Sequence, residues 1–152
     1  MEILHDVRPS QYPWIKPIGL GTDLMPNKAH VGDAGFDVFS HTEVVIYPSN
    51  FKIIDLGFAI QIPLGWVALI QGRSGLAADK GLFTIGNVID SNYRGECHAI
   101  LCNFGSVPVE IRYGMKIAQM LIMPCYTHNR TVITDELTPS NRESNGFGST
   151  GG

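Results

Sequence analysis

Charge is scarce in this 152-residue chain: Asp, Glu, Lys and Arg together make up 16%, against about 25% in an ordinary soluble domain. So small a share of charged residues predicts unusually extensive burial, of the kind an oligomer supplies. A basic surplus is missing too, since 11 Lys and Arg face 14 Asp and Glu for a net charge of −3, so no direct nucleic-acid binding is expected. Cysteine pairs are absent. Cys97, Cys102 and Cys125 form no CxxC and leave an odd thiol, which points to core residues in the cytoplasm or another reducing compartment rather than a disulfide framework. The five histidines show no HxxxH spacing and no cysteine partner, so no zinc site is expected. Nor is there a long unbroken apolar run: residues 56–72 carry no charge but are interrupted by Gly57, Gln61, Pro63 and Gly65, too short and broken for a membrane span. Residues 1–17 lack a basic segment followed by an apolar one, so no secretory signal is expected. The length suits one domain with its own core.

Punctuation, by contrast, is plentiful: 17 glycines and 9 prolines. Between them lie short runs rich in β-branched residues, at Glu43–Tyr47, Lys52–Ile62, Trp66–Gln71, Glu96–Asn103, Val107–Arg112, Ile117–Met123 and Thr131–Thr134, which read as strands. The one short helical turn expected is Leu76–Lys80. Ala99–Cys102 and Ile117–Met123 are apolar at consecutive positions, so both faces of those strands should be covered. The expected fold class is all-β, an antiparallel barrel or jelly roll.

Five segments hold residues suited to chemistry. Gly72-Arg73-Ser74-Gly75-Leu76-Ala77 follows a strand and opens a helical turn, where backbone N–H groups and the Arg73 fork suit an anion; Ser74 equally fits a simple helix cap. Gly86 to Gly95, with Asn87, Val88, Ile89, Asp90 and Tyr93, reads as a β-hairpin whose glycines let a flat ligand approach, although Asp90 alone is an ordinary turn former. Asp33–Ser40, with Asp37, and Tyr113–Met120, with Gln119, each read as a strand preceded by a turn. The last eleven residues, Arg142 to Gly152, read alone as a disordered tail. Ordering them costs roughly 1–2 kcal/mol of backbone entropy per residue, which only a ligand or a neighbouring subunit can offset.

In chain order these segments are AGFDVFS, GRSGLA, NVIDSNYRGE, YGMKIAQ and GFGSTG. The sequence closely resembles the homotrimeric dUTPases over Ala34 to Gly151, nearly four-fifths of its length. The resemblance implies a jelly-roll-like (β-clip) domain over residues 1–140 and a flexible C-terminal arm over 141–152. It also implies a homotrimer with shared active sites, each closed by another subunit's arm acting as a lid. The implied reaction is Mg²⁺-assisted hydrolysis of dUTP to dUMP and pyrophosphate, which limits uracil in DNA and supplies dUMP for dTMP synthesis.

By the same resemblance Asp90 activates the water that attacks the α-phosphorus. Tyr93 stacks under the deoxyribose and excludes a 2′-hydroxyl, while the backbone of Gly86, Asn87, Val88 and Ile89 pairs with the uracil edge. Arg73, Ser74, Gly75 and Gln119 contact phosphates. Phe147 lies over the uracil, Arg142 reaches the γ-phosphate, and Gly148, Ser149 and Thr150 help the arm hold the nucleotide. Asp37 is a supporting acid, acting through waters of the metal or by orienting its neighbours. No residue ligates Mg²⁺ directly; the triphosphate and waters hold it, in keeping with that ion's chemistry.

A charge argument agrees: dUTP carries about four negative charges and is repelled at long range by a chain of net −3, so the site must concentrate its own cations. The sequence departs from the family pattern at Phe36, Asn87, Met115 and Glu143. Asn87 stands where glycine is usual, and Asn tolerates left-handed backbone better than most residues. The related dCTP deaminases need a glutamate where this chain has Ile100, and an aliphatic side chain cannot shuttle a proton. A non-catalytic β-barrel that keeps a nucleotide pocket is the other class the sequence leaves open.

Overall fold

The computed structural model describes residues 13–19, 23–128, 131 and 133–139. Among these are ten strands and one helix. In order they are β1 (Trp14–Pro17), β2 (Phe36–Phe39), β3 (Val44–Ile46), β4 (Phe51–Gln61), β5 (Trp66–Gly72), α1 (Ser74–Lys80), β6 (Leu82–Ile85), β7 (Val88–Ile89), β8 (Glu96–Asn103), β9 (Val109–Ile111) and β10 (Lys116–Pro124). No helix among the described residues is long and apolar enough to cross a membrane.

Every strand pairing is antiparallel. The strands form two four-stranded sheets, β1-β4-β8-β6 and β2-β10-β5-β7, and a two-stranded sheet, β3-β9. Alternation along β8 sends Cys97, Ala99, Leu101 and Asn103 inward. They meet Ile54, Leu56, Phe58 and Ile60 of β4, Ile70 of β5, and Ile117 and Met120 of β10 in one continuous core. Each fully buried large aliphatic or aromatic side chain there stabilises the fold by about 1.5–3 kcal/mol.

The β-rich, jelly-roll-type architecture is the one expected, and α1 extends the expected helical turn back to Ser74. Three details differ. Residues Thr131, Ile133 and Thr134 carry no strand, because a four-residue run gains nothing from β propensity without a partner edge. Of the three cysteines expected in the core, Cys97 is buried, Cys102 half-buried and Cys125 exposed; all are free thiols. Finally, β1 joins β4 through Trp14↔Gln61 to Pro17↔Phe58, an edge position where Pro17 sacrifices no ladder hydrogen bond.

The buried polar residue Asn103 ties the turns together. Its Nδ2 donates to the carbonyls of Ile46 at 2.8 Å and Val107 at 2.9 Å, and its Oδ1 accepts from Gly105 N–H at 2.8 Å. Replacing it strands one buried donor and two acceptors, so Asn103→Ala should lower the unfolding free energy by roughly 3 kcal/mol, read as a lower urea midpoint with an unchanged slope.

Candidate functional site

The segment between β6 and β8 positions the first part of the site. Strands β6 and β8 pair antiparallel, with Ile85 opposite Ile100, so the expected hairpin exists. Its connecting segment does more than turn: Val88 and Ile89 leave that sheet and pair with Leu69 and Ala68 of β5 in the other. Ile70 N–H donates to the Asn87 carbonyl at 2.9 Å and fixes the crossing. The left-handed residue that the crossing needs is Gly86, at φ 58°. Ser49 is the one non-glycine with positive φ among the described residues, so Asn87 carries no backbone strain.

As the outer strand of its sheet, β7 leaves one row of N–H and C=O groups unpaired. Both residues of β7 also line a cavity of about 290 Å³ shared with Gly86, Asn87, Asp90 and Tyr93, with apolar walls from Ile53, Ile70 and Ile100 and polar residues Glu96 and His98. Apolar walls near an outer strand's unpaired backbone groups suit a heterocycle with donors and acceptors on its rim. Cys97 also lines it, but burial pushes its thiol up to about 11, making it apolar wall rather than nucleophile.

The second part lies at the other end of β5. Arg73 precedes α1 as its N-cap, and no side chain caps that helix; the Ser74 hydroxyl therefore does not serve as a cap. The Asp37 carboxylate bridges two cations, accepting from the Arg73 guanidinium and from Lys116 Nζ at 2.8 Å. Lys116, then Arg73, holds the Asp37 carboxyl below its usual range against the opposing effect of burial. Gln119 Nε2 donates to the Gly72 carbonyl at 3.2 Å, and a Cβ at Gly35 would stand 2.8 Å from Gln119 Oε1, so a side chain there would push Gln119 aside. Two cations against one carboxylate leave a local positive charge suited to phosphate.

Of the expected site residues, the structure brings together Gly86, Asn87, Val88, Ile89, Asp90 and Tyr93 around one cavity. It gathers Asp37, Arg73 and Gln119 around a separate cluster, with Ser74 and Gly75 opening the helix next to Arg73. It does not join the two groups within one chain. Extending the β5–β7 register puts Asp90 beside Val67, and both line one hollow. Arg73 is six residues further along, about 20 Å away at roughly 3.3 Å per residue. Arg142, Phe147, Gly148, Ser149 and Thr150 lie outside the described residues.

The family model described as dUTPase matches residues 23–151. The chain belongs to the dUTPase family. It is 45% identical over 130 residues, 84% of this chain and 91% of the relative, to the deoxyuridine 5'-triphosphate nucleotidohydrolase of Clostridium novyi (strain NT). Its fold matches the dUTPase of Staphylococcus bacteriophage 80alpha with dUpNHpp at a TM-score of 0.84 and 26% identity, covering 93% of this chain and 99% of that one. A mutant dUTPase from phage phi11 of S. aureus, whose structure describes coordination of a structural Mg(II) ion, matches the fold at a TM-score of 0.76 and 24% identity over 84% of this chain and 99% of that one.

Within this dUTPase framework the structure adds residues that sequence reasoning left unassigned. Lys116 sits inside the YGMKIAQ segment, and a bulge in the β10–β2 register between Lys116 and Ala118 turns its ammonium to Asp37. The shortage of cations in the composition was the signal that could have found it. Glu96 and His98 entered the cavity wall unannounced, because the pocket side of β8 depends on how the 86–95 segment folds over it.

Because the folded-state pKa of Asp37 is depressed, its pairing stabilises the protein above the ordinary carboxylate range and is lost as pH falls through the lowered value. The stability gap between the native chain and Asp37→Asn should therefore stay flat from pH 7 to about 5 and close below about pH 4, measured by urea titration at each pH.

Proposed function

We propose that this chain hydrolyses dUTP to dUMP and pyrophosphate in a homotrimer whose active sites are shared between protomers. The observation that carries the reading is the cavity under β7, which sets a free backbone edge, an aromatic ring and the Asp90 carboxylate around one space. Uracil pairs with the unpaired row of β7 between Ile70 and Ile100. The Tyr93 ring underlies the sugar and leaves no room for a 2′-hydroxyl. Asp90 takes the proton of a water as its oxygen attacks the α-phosphorus; the bond to the bridging oxygen breaks and pyrophosphate departs. A placed general base supplies roughly 10²–10⁴-fold, and the larger share comes from holding and neutralising the phosphates.

Asp90 and Arg73 of one chain, about 20 Å apart along β5, cannot serve one α-phosphorus. The phosphate cluster of Arg73, Ser74, Gly75 and Gln119, steadied by Asp37 and Lys116, therefore comes from a second copy. The outer face of the β4–β8–β6 sheet supplies a surface for that assembly: Phe51, Ile53, Phe83 and Ile85 are exposed and flank Ile100 and Cys102. Contiguous apolar side chains on that scale mark an interaction surface. The arm from residue 141 onward closes the site of a further copy with Phe147 and Arg142. No cluster of three His, Cys, Asp or Glu that could hold a metal occurs among the described residues; Mg²⁺ enters as part of the Mg–dUTP substrate, carried by phosphate oxygens and water. The setting is a reducing compartment, in which three free thiols persist.

Two experiments test this reading. Asp90→Asn and Arg73→Ala should each abolish most turnover of dUTP, yet co-refolding the two inactive variants should regenerate roughly a quarter of native activity, the fraction of sites in random trimers that combine a native Asp90 with a native Arg73. A mixture as inactive as its parts would sink the shared site. Truncation after Asn141 should leave the sedimentation profile unchanged and lower kcat/KM on the order of 100-fold or more, measured by pyrophosphate release.

A further inference from the structure

Strand β4 carries a defect whose consequences reach the sugar pocket. Between Asp55↔His98 and Ala59↔Glu96 its pairing with β8 slips, so four steps along β4 answer two along β8. Gly57 sits in the slip at φ 70°, and its Cβ position is filled by the His41 ring, 2.2 Å away, so only glycine fits. Taken out of the regular ladder, the Gly57 N–H needs another acceptor. Glu96 Oε1 provides it at 3.2 Å across the sheet. The Gly57 carbonyl in turn accepts from Ile18 N–H at 2.8 Å, holding the other side of the same residue.

Glu96 is also the residue to which the sugar-facing ring is anchored. Tyr93 Oη donates to the Glu96 backbone carbonyl at 2.8 Å, and the ring lies over Gly95, whose Cβ would come 2.4 Å from Tyr93 Oη. Both Tyr93 and Glu96 border the cavity that holds Asp90. The Glu96 side chain therefore grips the bulge of β4 while its main chain sets the tilt of Tyr93.

We propose that Glu96 is a positioning residue for sugar discrimination: by pinning the start of β8 to the Gly57 bulge it fixes the height of the Tyr93 ring and so excludes the ribose 2′-hydroxyl. The inference rests on the nucleotide reading of this cavity and assigns it a selectivity determinant outside the Gly86–Tyr93 loop. Releasing the carboxylate leaves the Gly57 N–H without an acceptor, the bulge relaxes, and the Tyr93 acceptor moves with it. An amide at the same position keeps Oε1 as an acceptor and should preserve the geometry.

The test uses the full chain and compares kcat/KM for dUTP with that for UTP, alongside calorimetric binding of dUMP and UMP. Glu96→Ala should lower the dUTP:UTP ratio at least 5-fold, chiefly by improving UTP and raising KM for dUTP, with kcat for dUTP changed less; Glu96→Gln should restore most of the ratio. Tyr93→Phe, which keeps the ring and removes the anchor, should lower the ratio in the same direction, and the double variant Glu96→Ala with Tyr93→Phe should be no worse than the poorer single one. An unchanged ratio in Glu96→Ala overturns the proposal. So does an additive double variant, or loss of dUTP turnover and binding with the ratio intact, which marks Glu96 as merely structural. Should Glu96→Ala not fold, Tyr93→Phe with an unchanged ratio overturns it as well. Native protein that neither turns over dUTP nor prefers dUMP defeats the nucleotide reading itself, an outcome separable from all of these.

Discussion

Strand β5 is a rigid spacer on which the rest of the chemistry depends. At one end it is bordered by β7 and Asp90; at the other it runs out into Arg73 and the Lys116–Asp37–Arg73 cluster. A hydrogen-bonded strand flanked on both sides cannot shorten, so Asp90 and Arg73 of one chain stay apart. The shared-site assembly proposed above is one geometry that answers this separation. The low charge content and the exposed apolar side chains on the outer face of the β4–β8–β6 sheet are in keeping with that proposal.

The electrostatics fit this division. The protein is net negative and its substrate strongly so, yet cations are concentrated locally around Asp37, whose carboxylate spaces Arg73 from Lys116. One anion between two cations keeps both side chains in place while leaving excess positive charge. The cavity beside β7 instead mixes aliphatic walls from Ile53, Ile70 and Ile100 with the polar residues Asn87, Asp90, Glu96 and His98. The cationic cluster and the cavity thus sit on separate elements.

Much of the cavity beside β7 was legible because its residues are bound to local backbone requirements. Gly86 must be glycine at a left-handed position, Gly35 must leave room for Gln119, and Val88–Ile89 must be short and β-prone to cross between sheets. Those demands print recognisable segments into the sequence. Glu96 was not legible, since a glutamate on a strand looks the same whether it faces solvent or the Gly57 N–H, and only the scarcity of cations hinted at Lys116. The expected strand at Thr131–Thr134 shows the converse: Thr131, Ile133 and Thr134 have β propensity but pair with no strand among the described residues.

By itself the sequence determined the all-β class, the position of most strands, the family, and the identity of the loop bearing Asp90 and Tyr93, because alternation, glycine placement and turn chemistry act over a few residues. Tertiary structure alone decided that β7 joins β5 rather than its own hairpin, that a slipped register couples Gly57 to Glu96, and that Asp90 and Arg73 of one chain stand too far apart to meet. Each of these is a pairing between residues distant in the chain, and register between strands is set by packing across the sheet, which no local pattern records.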